Sequence, residues 1–416
     1  MNPADTLWSL AGGAWAIGPD TLLGATLLLV AAALLGEVVW RALRWPRLMG
    51  YVVVGAVLAL AGASADPARP AVRLVVDVAL ALLLFEAGTR LNLRWLVRNP
   101  WLLATSVAES VLSAVAVYAA ARAFGLDPQT AAVLALIAMS VSPAVVQRVV
   151  GECGAAGQVT ERLMALTALN TLFAVLAIKA LSAGLLLSRP DTWQAALPAV
   201  TISFAGSFLL GVALGSVIAL IARRLDLRNE NAVMLLLGFV LLAIVIAKAL
   251  SLSTLLVPLL AGLWLRNRSD RPWVWPRHFG SAGGVLVLAL FVAVSSAWSP
   301  LDFPKAFGIA AALVAVRWLA KAAAVFALAR PSGLAWRQAA SLGACLLPMS
   351  ATAWVLAIDF GATHPEAAAP LMPVLLTSLA LVELVSPLVL LYALRFAGEL
   401  DAPEGTVSAR IAEGSR

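Results

Sequence analysis

Residues 131–150 read AAVLALIAMSVSPAVVQRVV, and the fold turns on the Ser140-Val141-Ser142-Pro143 interruption inside that apolar run. The apolar phase resumes after the interruption, turns over residues 151–157, and then continues to Leu187 with Asn170-Thr171 in its middle. In water this would be a poor helix, because proline lacks an N–H and its ring clashes with the preceding turn. In a bilayer no water satisfies the freed carbonyls, so such a break survives only inside protein or beside a cavity. A broken helix facing a polar residue on the next span is one way to build an ion or substrate site near the bilayer midplane.

The rest of the chain supports that setting. It has 416 residues, 62% hydrophobic and 12% charged, against about 25% charged in a soluble domain. Apolar runs of about 20 residues recur from end to end, which predicts an all-α polytopic membrane protein with about thirteen transmembrane helices. The expected spans are 21–40, 48–62, 72–88, 101–124, 130–150, 160–187, 199–221, 231–250, 253–265, 280–298, 306–329, 336–358 and 369–394. They form one transmembrane domain over 1–396, followed by a short polar tail over 397–416 that is expected to be disordered.

The net charge of +7 reflects arginines in short loops, which is a topology signal and not a nucleic-acid footprint. One set of loops holds Arg41, Arg44 and Arg47, Arg90, Arg94 and Arg98, Arg148 and Arg162, and Arg330 and Arg337. The alternate set is sparse, with Arg69, Arg73, Arg122, Arg189, Lys248 and Lys305. The first set is expected to be cytoplasmic, which puts the N-terminus outside, the C-terminus inside and the protein in the inner (plasma) membrane. The N-terminus is acidic and has no basic segment of the kind that opens a cleavable signal.

Cys153 and Cys345 are too few for a disulfide framework, and His278 and His364 are isolated, so no metal centre and no cofactor are expected. No nucleophile–base pair or phosphate loop is found, so enzyme chemistry is not expected.

A second interruption, Leu347-Pro348-Met349-Ser350, falls in span twelve, seven spans after the first. An odd separation makes the two units face opposite ways across the membrane. Interrupted helices in matching positions of two inverted halves point to a transporter site. Spans one to six then repeat as eight to thirteen, with span seven as the connector.

Several stretches carry a family resemblance. Residues 46–55 (PRLMGYVVVG), 83–88 (LLFEAG) followed by 91–94 (LNLR), 252–263 (LSTLLVPLLAGL), 290–294 (LFVAV) and 321–330 (KAAAVFALAR) occur in order along nearly the whole chain. Together they resemble the cation:proton antiporter superfamily of sodium/hydrogen exchangers. The resemblance implies monovalent cation and proton as partners, a homodimer, and alternating access. It also implies a scaffold from spans one to three and eight to ten, and a mobile core from spans four to six and eleven to thirteen. Half-helix ends at the crossing would present opposed partial charges of about half an elementary charge each.

The chain departs from that family at the exchange chemistry. The span-six carboxylate that binds the cation when ionised and the proton when not is normally the second residue of an Asn-Asp, Asp-Asp or Gln-Asp pair; here the pair is Asn170-Thr171. The Asp that precedes Pro in one branch is Ser142. Lys321 matches the family's intramembrane lysine, and a lone lysine in hydrocarbon needs a partner or a cavity. Glu383 on span thirteen and Glu109 on span four lie at depths close to Thr171 and Lys321, so either is a candidate proton carrier, with Lys321 as opposing charge. The alternative is a static ion pair of Glu109 or Glu383 with Lys321 or Arg317. Arg317 is otherwise expected to snorkel or to form a structural pair.

Ser140, Ser142, Asn170, Thr171, Ser350 and Thr352 are the remaining expected lining residues, since hydroxyl, amide and carbonyl oxygens suit a hard cation. They could equally satisfy the broken backbone. Besides cation/proton antiport, two readings stay open: a same-fold transporter of another solute such as an anion, and a non-transporting sensor or subunit.

Overall fold

The computed structural model describes residues 22–62, 70–187, 193–224, 230–268, 279–349 and 351–400. Residues 1–21, His278, the expected site residue Ser350 and the tail from 401 lie outside the described residues. Among the described residues every regular element is a helix, as hydrocarbon demands when each backbone N–H and C=O must be satisfied within its own segment. In chain order they are α1 (Leu22–Leu43), α2 (Leu48–Leu60), α3 (Pro70–Arg90), α4 (Leu93–Arg98), α5 (Pro100–Ala123), α6 (Pro128–Ala138), α7 (Pro143–Cys153), α8 (Gln158–Leu187), α9 (Trp193–Arg224), α10 (Glu230–Ala249), α11 (Leu256–Arg268), α12 (Phe279–Ser295), α13 (Phe303–Ala327), α14 (Trp336–Cys345), α15 (Ala351–Thr363), α16 (Pro365–Ala368) and α17 (Leu371–Ala397).

Seven segments are long and apolar enough to cross a membrane, the broken α6–α7 run counting as one, and four shorter helices are apolar. The two spans missing from those sets are α3, which carries Arg73, Asp77, Glu86 and Arg90 in ion pairs, and α11, a short helix ending on Arg266 and Arg268. The small helix α4 was not legible as a span. It is held by its N-cap, the Asn92 side chain, which accepts from Trp95 N at 3.2 Å.

The first break is made by a proline that begins a helix. Ser142 has extended backbone, its Oγ accepts from Val145 N at 3.3 Å, and Pro143 takes the first helical position, where its missing N–H is not needed. Upstream, Asp127 caps α6 through Gln129 N and Thr130 N. The second interruption separates α14 from α15 around Pro348. The unit α5, α6–α7, α8 thus recurs as α13, α14–α15, α17, and the two interruptions meet where Ser142 N donates to Pro348 O at 3.1 Å.

The helices pack in two groups. α3 lies against α11 and α12, α2 against α1 and α12, and α11 against α9. α5 lies against α6 and α13, and α17 against α13 and α14. The α3–α11 crossing is close enough that a Cβ on Gly262 would overlap the Phe85 carbonyl, and one on Gly88 the Leu259 carbonyl. Small residues allow such backbone approach, which drives helix association in lipid. Gly262→Ala is therefore expected to destabilise by about 1–3 kcal/mol, through overpacking. Thermal melting in detergent checks this against Gly238→Ala, where a Cβ meets nothing within 4 Å and better helix propensity predicts a small gain.

The expectation of a free tail from residue 397 fails at its first residues. The Glu399 carboxylate accepts from Val159 N at 2.6 Å, Thr160 N at 2.7 Å and Thr160 Oγ1 at 2.8 Å, and its carbonyl accepts from Ala156 N at 2.9 Å. A carboxylate at a helix N-terminus satisfies otherwise unbonded N–H groups and complements the helix dipole, so Glu399 caps α8 from the far end of the chain.

Candidate functional site

The crossing is organised by two cations on α13. Arg317 is fully buried, at 1% exposure. Its Nε donates to Ala138 O at 2.9 Å, its Nη1 to Leu347 O at 2.7 Å, and its Nη2 to Ser140 O at 2.6 Å and Pro348 O at 3.4 Å. It neither snorkels nor forms an ion pair by direct contact. It binds the carbonyls freed by both interruptions, at the C-terminal ends of α6 and α14, where aligned peptide dipoles leave partial negative charge. The planar fork of guanidinium donors reaches two segments at once, which a single ammonium does not.

Lys321 lies one turn further along α13 and is also fully buried. Its Nζ donates to Met139 O at 2.9 Å and makes a close ion pair with Glu109 of α5. The other Glu109 oxygen accepts from Asn170 Nδ2. Asn170 Oδ1 in turn accepts from Ser106 Oγ at 2.9 Å and Ser110 Oγ at 3.1 Å. Two hydroxyl donors on Oδ1 fix the amide so that its NH₂ faces the carboxylate. Glu109, Asn170, Ser106 and Ser110 are all at 0% exposure. A buried charge persists when it is paired and its remaining hydrogen-bonding sites are filled, and this network meets both conditions.

The expected hydroxyls divide differently. Thr171 Oγ1 lies 2.8 Å from Thr167 O and 3.1 Å from Val141 O, so its single proton serves backbone at the break. Ser140 Oγ donates to Ile137 O at 2.7 Å, and Ser142 is the cap already described. Thr352 is buried, and its Oγ1 has no hydrogen-bond partner.

Glu383 is not brought to Lys321. It sits on the side of α17 that meets α12, where Ser295 Oγ donates to its Oε2 at 2.7 Å. Among the described residues its Oε1 and the Ser386 Oγ one turn away are buried with no hydrogen-bond partner, and none of those residues forms an ion pair with Glu383. Equal depth along two helices does not mean a shared pocket, because the two carboxylates point to different neighbours.

Charged pairs flank the crossing at both ends. At the end where α3 begins, Asp77 binds Arg73 at 3.1 Å and Lys248 at 2.6 Å, and Arg73 reaches Asp359 of α15 at 2.5 Å. Lys179 Nζ is 4.0 Å from the same Asp359. At the opposite end a cavity of about 430 Å³ opens between α3, α7 and α12, with Glu86, Gln147, Arg148 and Glu152 in its wall. Glu152 accepts from Arg148 Nε at 2.7 Å and Arg47 N at 2.8 Å. Gln147 is five residues from Ser142, about 7.5 Å along α7 at 1.5 Å per residue, so the cavity wall leads towards the crossing. Glu37 pairs with Arg41 at 2.7 Å and Glu86 with Arg90 at 3.1 Å, each one helical turn apart.

The reading of the sequence missed Ser106, Ser110 and Asp359. For the serines a signal existed: Ser106, Glu109, Ser110 and Ser113 recur at three- and four-residue spacing on an otherwise apolar span, which is one helix face.

Inverted halves, each with an interrupted helix, and a buried charged cluster where the interruptions cross define a membrane transporter of the crossed, broken-helix class. The family model for the transmembrane sodium/hydrogen exchanger matches residues 27–394, and the chain belongs to that family. A structure of the sodium proton antiporter MjNhaP1 from Methanocaldococcus jannaschii at pH 8 is similar, with TM-score 0.68 and 16% identity, covering 90% of this chain and 97% of that one. An electron-microscopy map of the same antiporter is similar with TM-score 0.70 and 15% identity, over 92% and 100% of the two chains. No curated protein matches the chain.

Proposed function

We propose that this member of the exchanger family is a monovalent cation/proton antiporter that works by alternating access, with Glu109 in the role the missing span-six carboxylate has in relatives. The observation that carries the reading is the buried Glu109–Lys321–Asn170 network beside both interruptions. In the arrangement described, Lys321 supplies the positive charge that neutralises Glu109. A Na⁺ or K⁺ entering beside Glu109 takes that place, Lys321 gives its proton to water, and neutral amine remains. One cation is bound for one proton released, and the net charge of the pocket is unchanged. Glu109 and the carbonyls at the break offer the oxygen ligands such a cation needs. The two tightly interacting groups titrate as a unit, so the proton belongs to the pair.

The α1–α3 and α10–α12 group acts as the dimerising scaffold in this reading, and the helices that bear the interruptions act as the moving core. The arginine-rich loops face the cytoplasm of a cell with the protein in its inner (plasma) membrane, N-terminus outside. An anion carrier finds less support: Lys321 is neutralised by Glu109, and Arg317 is engaged by four carbonyls.

The test is exchange by purified protein in proteoliposomes with an imposed pH gradient. Na⁺ or K⁺ is expected to dissipate the gradient and choline is not; a response to anions alone would overturn the reading. In the same assay Glu383→Gln is expected to keep exchange within about twofold, since a neutral amide can still accept from Ser295. A tenfold or greater loss would bring Glu383 into the exchange step.

A further inference from the structure

A second cavity, of about 830 Å³ and almost wholly apolar, lies on the outside of the bundle between α2 on one wall and α14 and α17 on the other. Its rim is aromatic, with Trp45 Nε1 bonded to Tyr392 Oη at 3.3 Å and Phe396 beside them. Its floor descends past Met49 and Ser341 to Leu384. Leu384, Tyr392 and Phe396 are 47%, 50% and 54% exposed, so the groove faces the surroundings of the bundle and not its interior.

Two cations stand on the rim. The Arg395 guanidinium lies 5.8 Å from the Tyr392 ring centre and that of Arg337 lies 5.0 Å from the Phe396 ring centre. Arg337 Nε donates to the Phe396 carbonyl, which fixes the group there and leaves both Nη atoms without a protein partner among the described residues. Neither arginine forms an ion pair with a described carboxylate. One turn inward from Arg337, Ser341 lines the groove with a buried Oγ that has no partner. Cations at the mouth, a lone hydroxyl one turn down and a long apolar channel below follow the order of groups along a phospholipid: phosphate, ester, acyl chain. Aromatic side chains settle at the headgroup level of a bilayer, and basic clusters beside spans recognise anionic headgroups.

We propose that this groove is a binding site for one anionic phospholipid, its phosphate held by Arg337 and Arg395, an ester carbonyl accepting from Ser341, and an acyl chain laid along α17. Because α2 forms one wall and α14 and α17 the other, the lipid bridges the two helix groups that move against each other in the function proposed above.

Native mass spectrometry of the purified full chain tests this with added phosphatidylglycerol, phosphatidylcholine or inorganic phosphate. Wild type is expected to retain one phosphatidylglycerol at least fivefold better than phosphatidylcholine, and to retain no free phosphate. Arg337→Gln/Arg395→Gln is expected to lose that preference, and Ala344→Trp, which fills the groove, to lose the lipid itself. Melting temperature reports whether each variant folds; because both arginines are exposed, the double variant is expected to melt like wild type. Equal retention of the two lipids by wild type, or an unchanged preference in a folded double variant, overturns the proposal. So does disulfide-linked dimer formed by Val385→Cys across the groove, since a second copy would then be the occupant. The readout is binding alone and stands whether or not exchange is observed.

Discussion

Glu109→Gln is expected to lower cation-driven proton movement in proteoliposomes by a hundredfold or more. The substitution leaves the shape of the pocket nearly unchanged but removes the charge that Lys321 and an incoming cation would share. It also strands the Lys321 ammonium in a buried site, a loss of about 3–5 kcal/mol when one partner of a buried pair is removed. A drop in activity could therefore reflect a damaged fold. The double variant Glu109→Gln/Lys321→Gln separates the two effects: melting temperature should recover most of the way while exchange stays absent. Exchange that survives in Glu109→Gln at more than a tenth of the wild-type rate would remove Glu109 from the mechanism.

Arg317→Met should give the largest loss of stability of any single change at the crossing. The Ala138, Ser140 and Leu347 carbonyls would lose the guanidinium in a buried interior, while Pro348 O would keep its bond from Ser142 N, at about 1–3 kcal/mol for each group left unbonded. Protein that survives purification is expected to melt at least 10 °C lower than wild type. Arg317→Lys should restore part of this, because one ammonium reaches the carbonyls of one interruption and not of both. A melting temperature within 2 °C of wild type for Arg317→Met would show that the interruptions hold together without it.

Much of the architecture could be read from residue order alone. Pro143 and Pro348 are visible because each lies with a serine near the middle of an apolar run, whereas Pro387 leaves α17 unbroken, and their separation by an odd number of spans implies opposed halves. The face on span four was equally visible in the spacing of Ser106, Glu109 and Ser110. What the sequence does not contain is azimuth: Glu109 and Glu383 share a depth, and only packing decides that α5 turns its carboxylate to α8 and α13 while α17 turns its own to α12. Arg317 was misjudged for another reason. Its partners are peptide carbonyls as far as 179 residues away in the chain, and a carbonyl is the same at every position in a sequence. Glu399 left a faint trace: α8 opens after Gly157 with no Ser, Asp or Asn to bond its first N–H groups, so a donor set was waiting for an acceptor from elsewhere.

The ion pair between Arg73 and Asp359 joins α3 to the helix that follows the second interruption, whereas at the end where the 430 Å³ cavity lies α7 meets the start of α2 through hydrogen bonds, Arg47 N to Glu152 and Arg148 Nη2 to Tyr51 Oη, with no ion pair between the two among the described residues. The shape described is thus latched at one mouth and ajar at the other. Under the alternating access proposed above, that latch has to come undone in partly sheltered surroundings, where dissolved salt weakens opposite charges only moderately. On that proposal the slow half of the cycle is the one that must prise two charges apart.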